Sequence, residues 1–287
     1  MSAPAAAAIT GAGSGIGREL ALACAREAMA VALTDIEPAA LAQTAMMAES
    51  LGVDVMARAG DVGRADQVEA FASECEARFG GVDWLFNNAG VAVLGPAWAA
   101  TDEDWQWLWS VNVRGVANGV RSFVPRMLAR RTRAHVVNTA SAAGLATLAG
   151  SSVYSATKHA VVAFSECLAR DLEQAGADIG VSVLCPALLP TGIHQSGRNR
   201  PFELANTVSP ASAYDERVRL GMAASPIDAA DVAAMTLDAI RARRFYVVPH
   251  VQTGDSVRRR MHAILDDHQA LHPDAAASPL PSPPNKE

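Results

Sequence analysis

Aromatic residues make up only 5% of this 287-residue sequence, although half of it is hydrophobic. Alanine and valine must therefore fill most of the core, which suits tight helix-on-sheet packing better than a β-sandwich. The four cysteines (Cys24, Cys75, Cys167, Cys185) form no CxxC pair and have no histidine cluster nearby. That spacing excludes a disulfide framework and a zinc site, and places the thiols as small core residues in a reducing compartment; no metal is expected. There is no long basic run, and the formal net charge is −6. Electrostatic attraction to nucleic acid or to an anionic membrane is thereby disfavoured. No uncharged apolar stretch approaches the ~18 residues needed to span a bilayer. The opening "MSAPAAAAITG" lacks the basic region of a secretion signal. A soluble, cytoplasmic protein is expected.

Short apolar runs alternate with stretches of helical periodicity. Strands are expected at 5–10, 30–35, 54–62, 82–90, 134–141 and 179–187, and helices at 14–28, 37–52 and 65–80. Further helix material surrounds "DEDWQWLWSVNVRGVANGVRSFVPRMLAR", and another helix carries "YSATK". Strands that read as continuous apolar runs between helices imply an α/β fold, with a parallel sheet covered on both faces. No repeat or linker divides the chain, so a single doubly wound domain is expected over 1–250. A C-terminal helix is expected at 251–272 and a disordered Pro/Ser-rich tail at 273–287.

Two features of this pattern carry chemistry. "ITGAGSGIGREL" places Gly11, Gly15 and Gly17 between the first strand and the first helix. Glycines there permit a tight turn and close approach of a pyrophosphate, and the helix N-terminus offers free N–H groups to the phosphates. Asp35 ends the second strand, 18 residues beyond Gly17. A carboxylate at that place can bond an adenosine ribose and repel a 2′-phosphate, which points to NAD. Ile36 and Ser14 occupy positions where a cation would serve NADP. Arg18, one helical turn on, is expected to point away, and Arg58 stays open as a cation near this site. Farther along, Tyr154 precedes Lys158 by four residues, which on a helix puts a phenol and an ammonium on one face.

The order and spacing of these features resemble the short-chain dehydrogenase/reductase family in its classical form, over about residues 5–250. The motifs are T-G-x-x-x-G-I-G at Thr10–Gly17, Asp61–Val62, "NNAG" at Asn87–Gly90, Asn112 in "VNVRG", Ser141 closing "NTAS", and "YSATK". Ser141 stands 13 residues before Tyr154. "CPALLPT" resembles the family's P-G-x-x-x-T segment, with Ala187 in place of its glycine. The resemblance implies a Rossmann-type domain that binds NAD through Gly11, Ser14, Gly15, Ile16, Gly17, Asp35, Asp61, Val62, Asn88, Tyr154, Lys158 and Thr191. It implies a catalytic set of Asn112, Ser141, Tyr154 and Lys158 interconverting a secondary alcohol and its ketone. In that scheme Tyr154 moves the proton, and Lys158 tunes the phenol and bonds the nicotinamide ribose. Ser141 would steady the substrate oxygen, while Asn112 would hold a water that completes a proton relay. One ammonium at about 4 Å supplies about 4 kcal/mol at an effective dielectric near 20, enough to lower a phenol by about 2–3 pH units.

Residues 190–225 are expected to form a substrate lid. Val93, Leu94, Ala143, Leu145, Ala187 and Leu188 are the expected pocket residues, and their apolar character favours a hydrophobic or aromatic alcohol. Among the tryptophans, Trp105 and Trp109 share a helical face that suits packing on the sheet or on a partner, and Trp98 is the one placed to touch substrate. His194 is a further candidate in the lid, whereas His159 reads as a helix residue beside Lys158. The glycine-rich ending that builds a tetramer interface in the family is missing, so a homodimer is expected, with a tetramer possible. Two alternatives remain at this point: a dinucleotide-sensing protein without turnover, and an epimerase or dehydratase on the same fold.

Overall fold

The computed structural model describes residues 5–205 and 212–271. Seven parallel strands form one sheet in the order β3-β2-β1-β4-β5-β6-β7. They are β1 (Ala6–Thr10), β2 (Ala30–Asp35), β3 (Val55–Ala59), β4 (Trp84–Asn87), β5 (Ala134–Thr139), β6 (Ile179–Leu184) and β7 (Tyr246–Val247). The register is continuous across the centre, with Ile9 opposite Leu33 on one side and Phe86 on the other.

Helices cover both faces. On one lie α1 (Gly15–Arg26), α2 (Pro38–Glu49) and α8 (Ala229–Arg241), packing Leu20, Leu41 and Val232 with Ile9 and Leu33 of the sheet. On the other lie α3 (Ala65–Phe79), α5 (Gly115–Arg130) and α6 (Ser152–Gln174), packing Phe71, Phe123 and Leu168 with Ala8 and Leu85. Alternate residues of β1 thus serve opposite cores, as the two-residue period of a strand requires. Their small size lets helices on both sides approach closely.

The sequence extends four strands too far. β3, β4, β5 and β6 end at Ala59, Asn87, Thr139 and Leu184, where the expected strands run on to 62, 90, 141 and 187. The extra residues remain apolar or small because they turn outward to line the cleft, so hydrophobicity alone does not mark where pairing stops. The helix material before β5 is also more broken than its periodicity suggests. α4 (Asp102–Leu108) opens on a Thr101–Asp104 capping box and leads through a π-helical turn, Trp109–Arg114, into α5. Such wide turns often sit at functional sites, and this one carries Asn112.

Beyond β6, short 3₁₀ turns at Gly192–Asn199 and Phe202–Leu204 precede α7 (Ser212–Ala223), and α9 occupies Val251–Leu271. The expected lid is described except for 206–211, and the expected disordered tail lies outside the described residues. Among the described residues no helix is long and apolar enough to cross a membrane.

Candidate active site

In a doubly wound sheet ligands bind outside the carboxyl ends of the strands, where the strand order reverses. Here the reversal falls between β1 and β4, and a cleft of about 510 Å³ opens there.

The glycine loop forms its floor. Gly11 has φ +65°, and a Cβ on it would lie 2.8 Å from Ala89 Cα, so the turn needs a glycine. A Cβ on Gly17 would lie 2.1 Å from the Gly11 carbonyl oxygen. Gly17 therefore seats α1 on the loop and does not itself line the cleft, unlike Gly11, Ser14, Gly15 and Ile16. Ser14 stands at the N-cap of α1 with a side chain that caps nothing. Asp35, Asp61, Val62, Asn88 and Thr191 complete the lining expected for a dinucleotide. Asp35 also has a structural duty that its position in the sequence does not reveal. Its two oxygens accept the Gly13 and Glu37 N–H groups at 2.8 and 2.9 Å, tying the glycine loop to the end of β2. Neither arginine weighed for this site reaches the cleft. Arg18 donates to the Gly13 carbonyl and to Thr44 and Gln43, and Arg58 is paired with Glu74.

Ser141, Tyr154 and Lys158 meet on the opposite wall. Ser141 follows β5, its hydroxyl accepting from the Ala143 N–H at 3.1 Å and donating to the Pro186 carbonyl at 3.3 Å. Lys158 is buried one helical turn past Tyr154. Its Nζ donates to the Thr139 carbonyl at 3.0 Å and lies 5.6 Å from the centre of the Tyr154 ring. Burial pushes the phenol up to about 12, against the opposing pull of its hydrogen bond with Ser141. Burial pushes the ammonium down to about 8. Burial thus disfavours the charged form of both groups, and shifted pairs of this kind are common where protons are moved.

Asn112 departs from its expected place. It is fully buried and does not line the cleft. Its amide exchanges two hydrogen bonds with the Val91 backbone, at 2.9 and 3.0 Å, and donates a third to Thr157 at 3.1 Å. Gly90 lies between it and the lysine, since a Cβ there would be 3.3 Å from Lys158 Nζ and 3.4 Å from Asn112 Oδ1. The side chain pins the β4 exit loop beside the lysine.

On the substrate side, Leu94, Ala143, Ala187, Leu188 and His194 line the cleft; Val93 and Leu145 do not. Val93 packs instead against a small cluster around Trp107 and Val153, and Leu145 against one around Val161 and Val183. Trp98 is 90% exposed and Trp107 takes the place in the cleft. Trp105 and Trp109 are solvent-exposed and do not cover the sheet within this chain. His159 uses Nδ1 on the Ser155 carbonyl and stays off the cleft.

Two sets of long-range contacts escape sequence reasoning, the first made by the segment expected as a lid. The segment after Thr191 crosses the cleft as a strap. Ser196 exchanges hydrogen bonds with the Ala92 backbone, while Arg198 and Asn199 donate to Glu37 at 2.6 and 2.8 Å. Arg200 pairs with Asp104 at 2.6 Å over the face of Trp107. The second is made by His250, buried ahead of α9, whose Nδ1 accepts the Ala187 N–H at 3.1 Å. It fixes the loop in which alanine replaces the family's glycine.

The sequence matches the family model described as short chain dehydrogenase over residues 5–201. It is 32% identical to the 1-deoxy-11-beta-hydroxypentalenate dehydrogenase of Streptomyces exfoliatus, covering 97% of this chain and 94% of that one. It is 29% identical to a CLA biosynthesis dehydrogenase/reductase of Lactiplantibacillus plantarum, covering 90% and 92%. Among solved structures, a short chain dehydrogenase/reductase from Burkholderia phymatum in complex with NAD superposes with a TM-score of 0.88 at 40% identity, over 98% of this chain and 99% of that one.

Proposed function

The chain belongs to the short-chain dehydrogenase/reductase family, and from that premise we propose that it is an NAD-dependent oxidoreductase interconverting a hydrophobic secondary alcohol and its ketone. The observation that carries this reading is the convergence of half-buried Tyr154 with buried Lys158 and Ser141 on one wall of a cleft whose floor is a glycine loop.

The residues present fit a dinucleotide. The turn at Gly11 leaves room for close approach, the uncapped start of α1 faces the cleft, and Asp35 borders it. Those groups would hold the pyrophosphate and the adenosine ribose, and Thr191 and Lys158 would hold the nicotinamide end. The relative solved with NAD supports the choice of cofactor. When bound, the oxidised nicotinamide accepts the hydride at C4.

The protein's own task is the proton. Ser141 Oγ and the Tyr154 hydroxyl would bond the alcohol oxygen, and Tyr154 would accept its proton as the carbon–hydrogen bond breaks. Burial opposes a phenolate, and the lysine counters that. Below about pH 8 its ammonium is charged, and a cation within about 6 Å of a phenolate attracts it by about 3 kcal/mol at an effective dielectric of about 20, or about two pKa units. Asn112 serves this chemistry at one remove, by fixing the Val91 backbone beside the lysine.

Leu94, Trp107, Ala143, Leu148, Leu188 and Met222 give the substrate side apolar walls, which favour a hydrophobic or aromatic alcohol over a sugar. The similarity to a hydroxypentalenate dehydrogenase supports oxidation at a hydroxyl-bearing carbon. The assembly that goes with this reading is a homodimer through α5 and α6. Incubation with NAD and a panel of secondary alcohols, read by the absorbance of reduced nicotinamide, tests the proposal. Turnover of apolar secondary alcohols is expected. NAD binding without turnover of any alcohol or ketone would favour a sensor.

A further inference from the structure

The polar groups of the cleft are almost all accounted for by the cofactor loops, the proton-handling wall or the strap. The N-terminus of α9 is the exception. Gln252, Thr253 and Ser256 line the cleft, on the side reached by the 143–148 loop and by the Ala187 loop that His250 holds. Thr253 is only 5% exposed, yet its hydroxyl has no hydrogen-bond partner among the described residues, where buried hydroxyls are ordinarily paired. Thr253, in the first turn of α9, has no preceding helical turn to bond and lines the cleft instead.

Three features give this end of the cleft a preference for negative charge. A 21-residue helix starts there with the positive end of its dipole, and of its first-turn N–H groups that of Thr253 is taken by the His250 carbonyl at 3.1 Å. Arg260 lies seven residues past Thr253, on the same helical face, and reaches the 143–148 loop by donating to the Leu145 carbonyl at 2.9 Å. It has no acidic partner among the described residues. The nearest carboxylate on the helix, Asp255, is exposed and paired with Arg258 at 2.7 Å. Leu148, Leu188 and Met222 line the same cleft with apolar surface.

Building on the function proposed above, the geometry points to a carboxylate-binding subsite at the start of α9. The substrate is then an amphipathic hydroxy acid. Its alcohol carbon meets Ser141 and Tyr154, its apolar body lies along Leu148 and Leu188, and its carboxylate accepts from the Thr253 hydroxyl and the free N–H groups at the start of α9, with Arg260 behind the 143–148 loop adding positive field from outside the cleft.

The test uses the full chain with NAD and (ω−1)-hydroxy acids of increasing length, each compared with its methyl ester and with the parent 2-alkanol. At the length that spans the cleft, kcat/KM for the acid should exceed that for the ester by at least about tenfold, the range of a hydrogen bond to a charged group. Thr253→Val and Arg260→Met should each shrink that ratio. Calorimetric titration with the unreactive fatty acids and their esters gives the same comparison by binding alone. Equal kcat/KM for acid and ester at every length, or a ratio unmoved in both variants, would overturn the subsite and leave the alcohol chemistry standing. Should no alcohol be oxidised, the function proposed above fails, and the titration decides the subsite: tighter binding of acid than ester, weakened by Thr253→Val, supports it, and equal binding overturns it.

Discussion

Arg198 and Glu37, 161 residues apart in the chain, meet across the cleft, with Nη2 and Nε of the arginine 2.6 and 3.0 Å from one carboxylate oxygen. Both residues line the cleft, so the strap that carries Arg198 is expected to stand in the way of a departing dinucleotide. The pair is about one-third exposed, and pairs of this kind contribute up to about 1 kcal/mol. Arg198→Ala is therefore expected to speed release of reduced nicotinamide cofactor by about three- to fivefold, measured by stopped-flow fluorescence. Added salt should speed release from the unmodified protein and change the variant little. Release rates that do not respond to either change would remove the strap from the cofactor's path.

The same strap should be protected by its ligand. Limited proteolysis is expected to cut within 192–205 faster in the free protein than with cofactor and substrate bound. Equal cutting in both states would mean that the strap's contacts with Ala92 and Glu37 are closed regardless of occupancy.

Cofactor choice rests on Asp35. Its two oxygens already accept one backbone N–H each, and a carboxylate offers about four acceptor sites, leaving room for ribose hydroxyls. The one arginine that lines the cleft among the described residues, Arg198, is engaged by Glu37. A 2′-phosphate would thus meet carboxylate without a free counter-charge. A preference for NAD over NADP of at least about a hundredfold in kcat/KM is expected. Asp35→Ser with Ile36→Arg should narrow or reverse it, at some loss of overall rate because the Gly13 tie goes too. Equal use of both cofactors by the unmodified protein would show that Asp35 does not meet the ribose.

The alternation of apolar runs and helical stretches was enough to read the parallel sheet, because the central strands are buried on both faces and each flanking helix on one. The glycine loop, Asp35, Ser141, Tyr154 and Lys158 were legible for a related reason: each lies in or beside an element whose period fixes its direction. Trp107 was not. It sits among Trp105 and Trp109 at equivalent helical spacing, and which ring enters the cleft depends on the π-helical turn that starts at Trp109, which no hydrophobic period encodes. The strap's contacts, though not its place in the expected lid, and the link from His250 to Ala187 were hidden for another reason. They join segments far apart in sequence through single polar contacts, and nothing local distinguishes Glu37 or His250 from a solvated residue.

One buried group gives the fold its own pH dependence. His135 is 3% exposed in β5, with Nε2 at 2.8 Å from Ser182 Oγ. That hydroxyl donates to the Arg244 carbonyl, so the ring is the donor and carries its proton on Nε2. Burial, helped by Arg243 and Arg133, pushes the imidazole from 6.5 down to about 4. A depressed pKa means stability that is present above pH 6.5 and lost as pH falls toward about 4, to the extent of about 3 kcal/mol. Urea unfolding should therefore show a larger loss between about pH 7 and about pH 4 in the unmodified protein than in His135→Gln. The same loss in both would place the acid sensitivity elsewhere.

The central claim is that Tyr154 moves the proton and leaves the cofactor to other groups, while Lys158 serves both. Steady-state oxidation of secondary alcohols by NAD, paired with calorimetric NAD affinity in Tyr154→Phe and Lys158→Ala, tests it most directly. Tyr154→Phe should lose turnover almost completely, by about a thousandfold, with NAD affinity nearly unchanged. Lys158→Ala should lose both turnover and affinity. Retention of more than a few per cent of the rate by Tyr154→Phe would contradict the account.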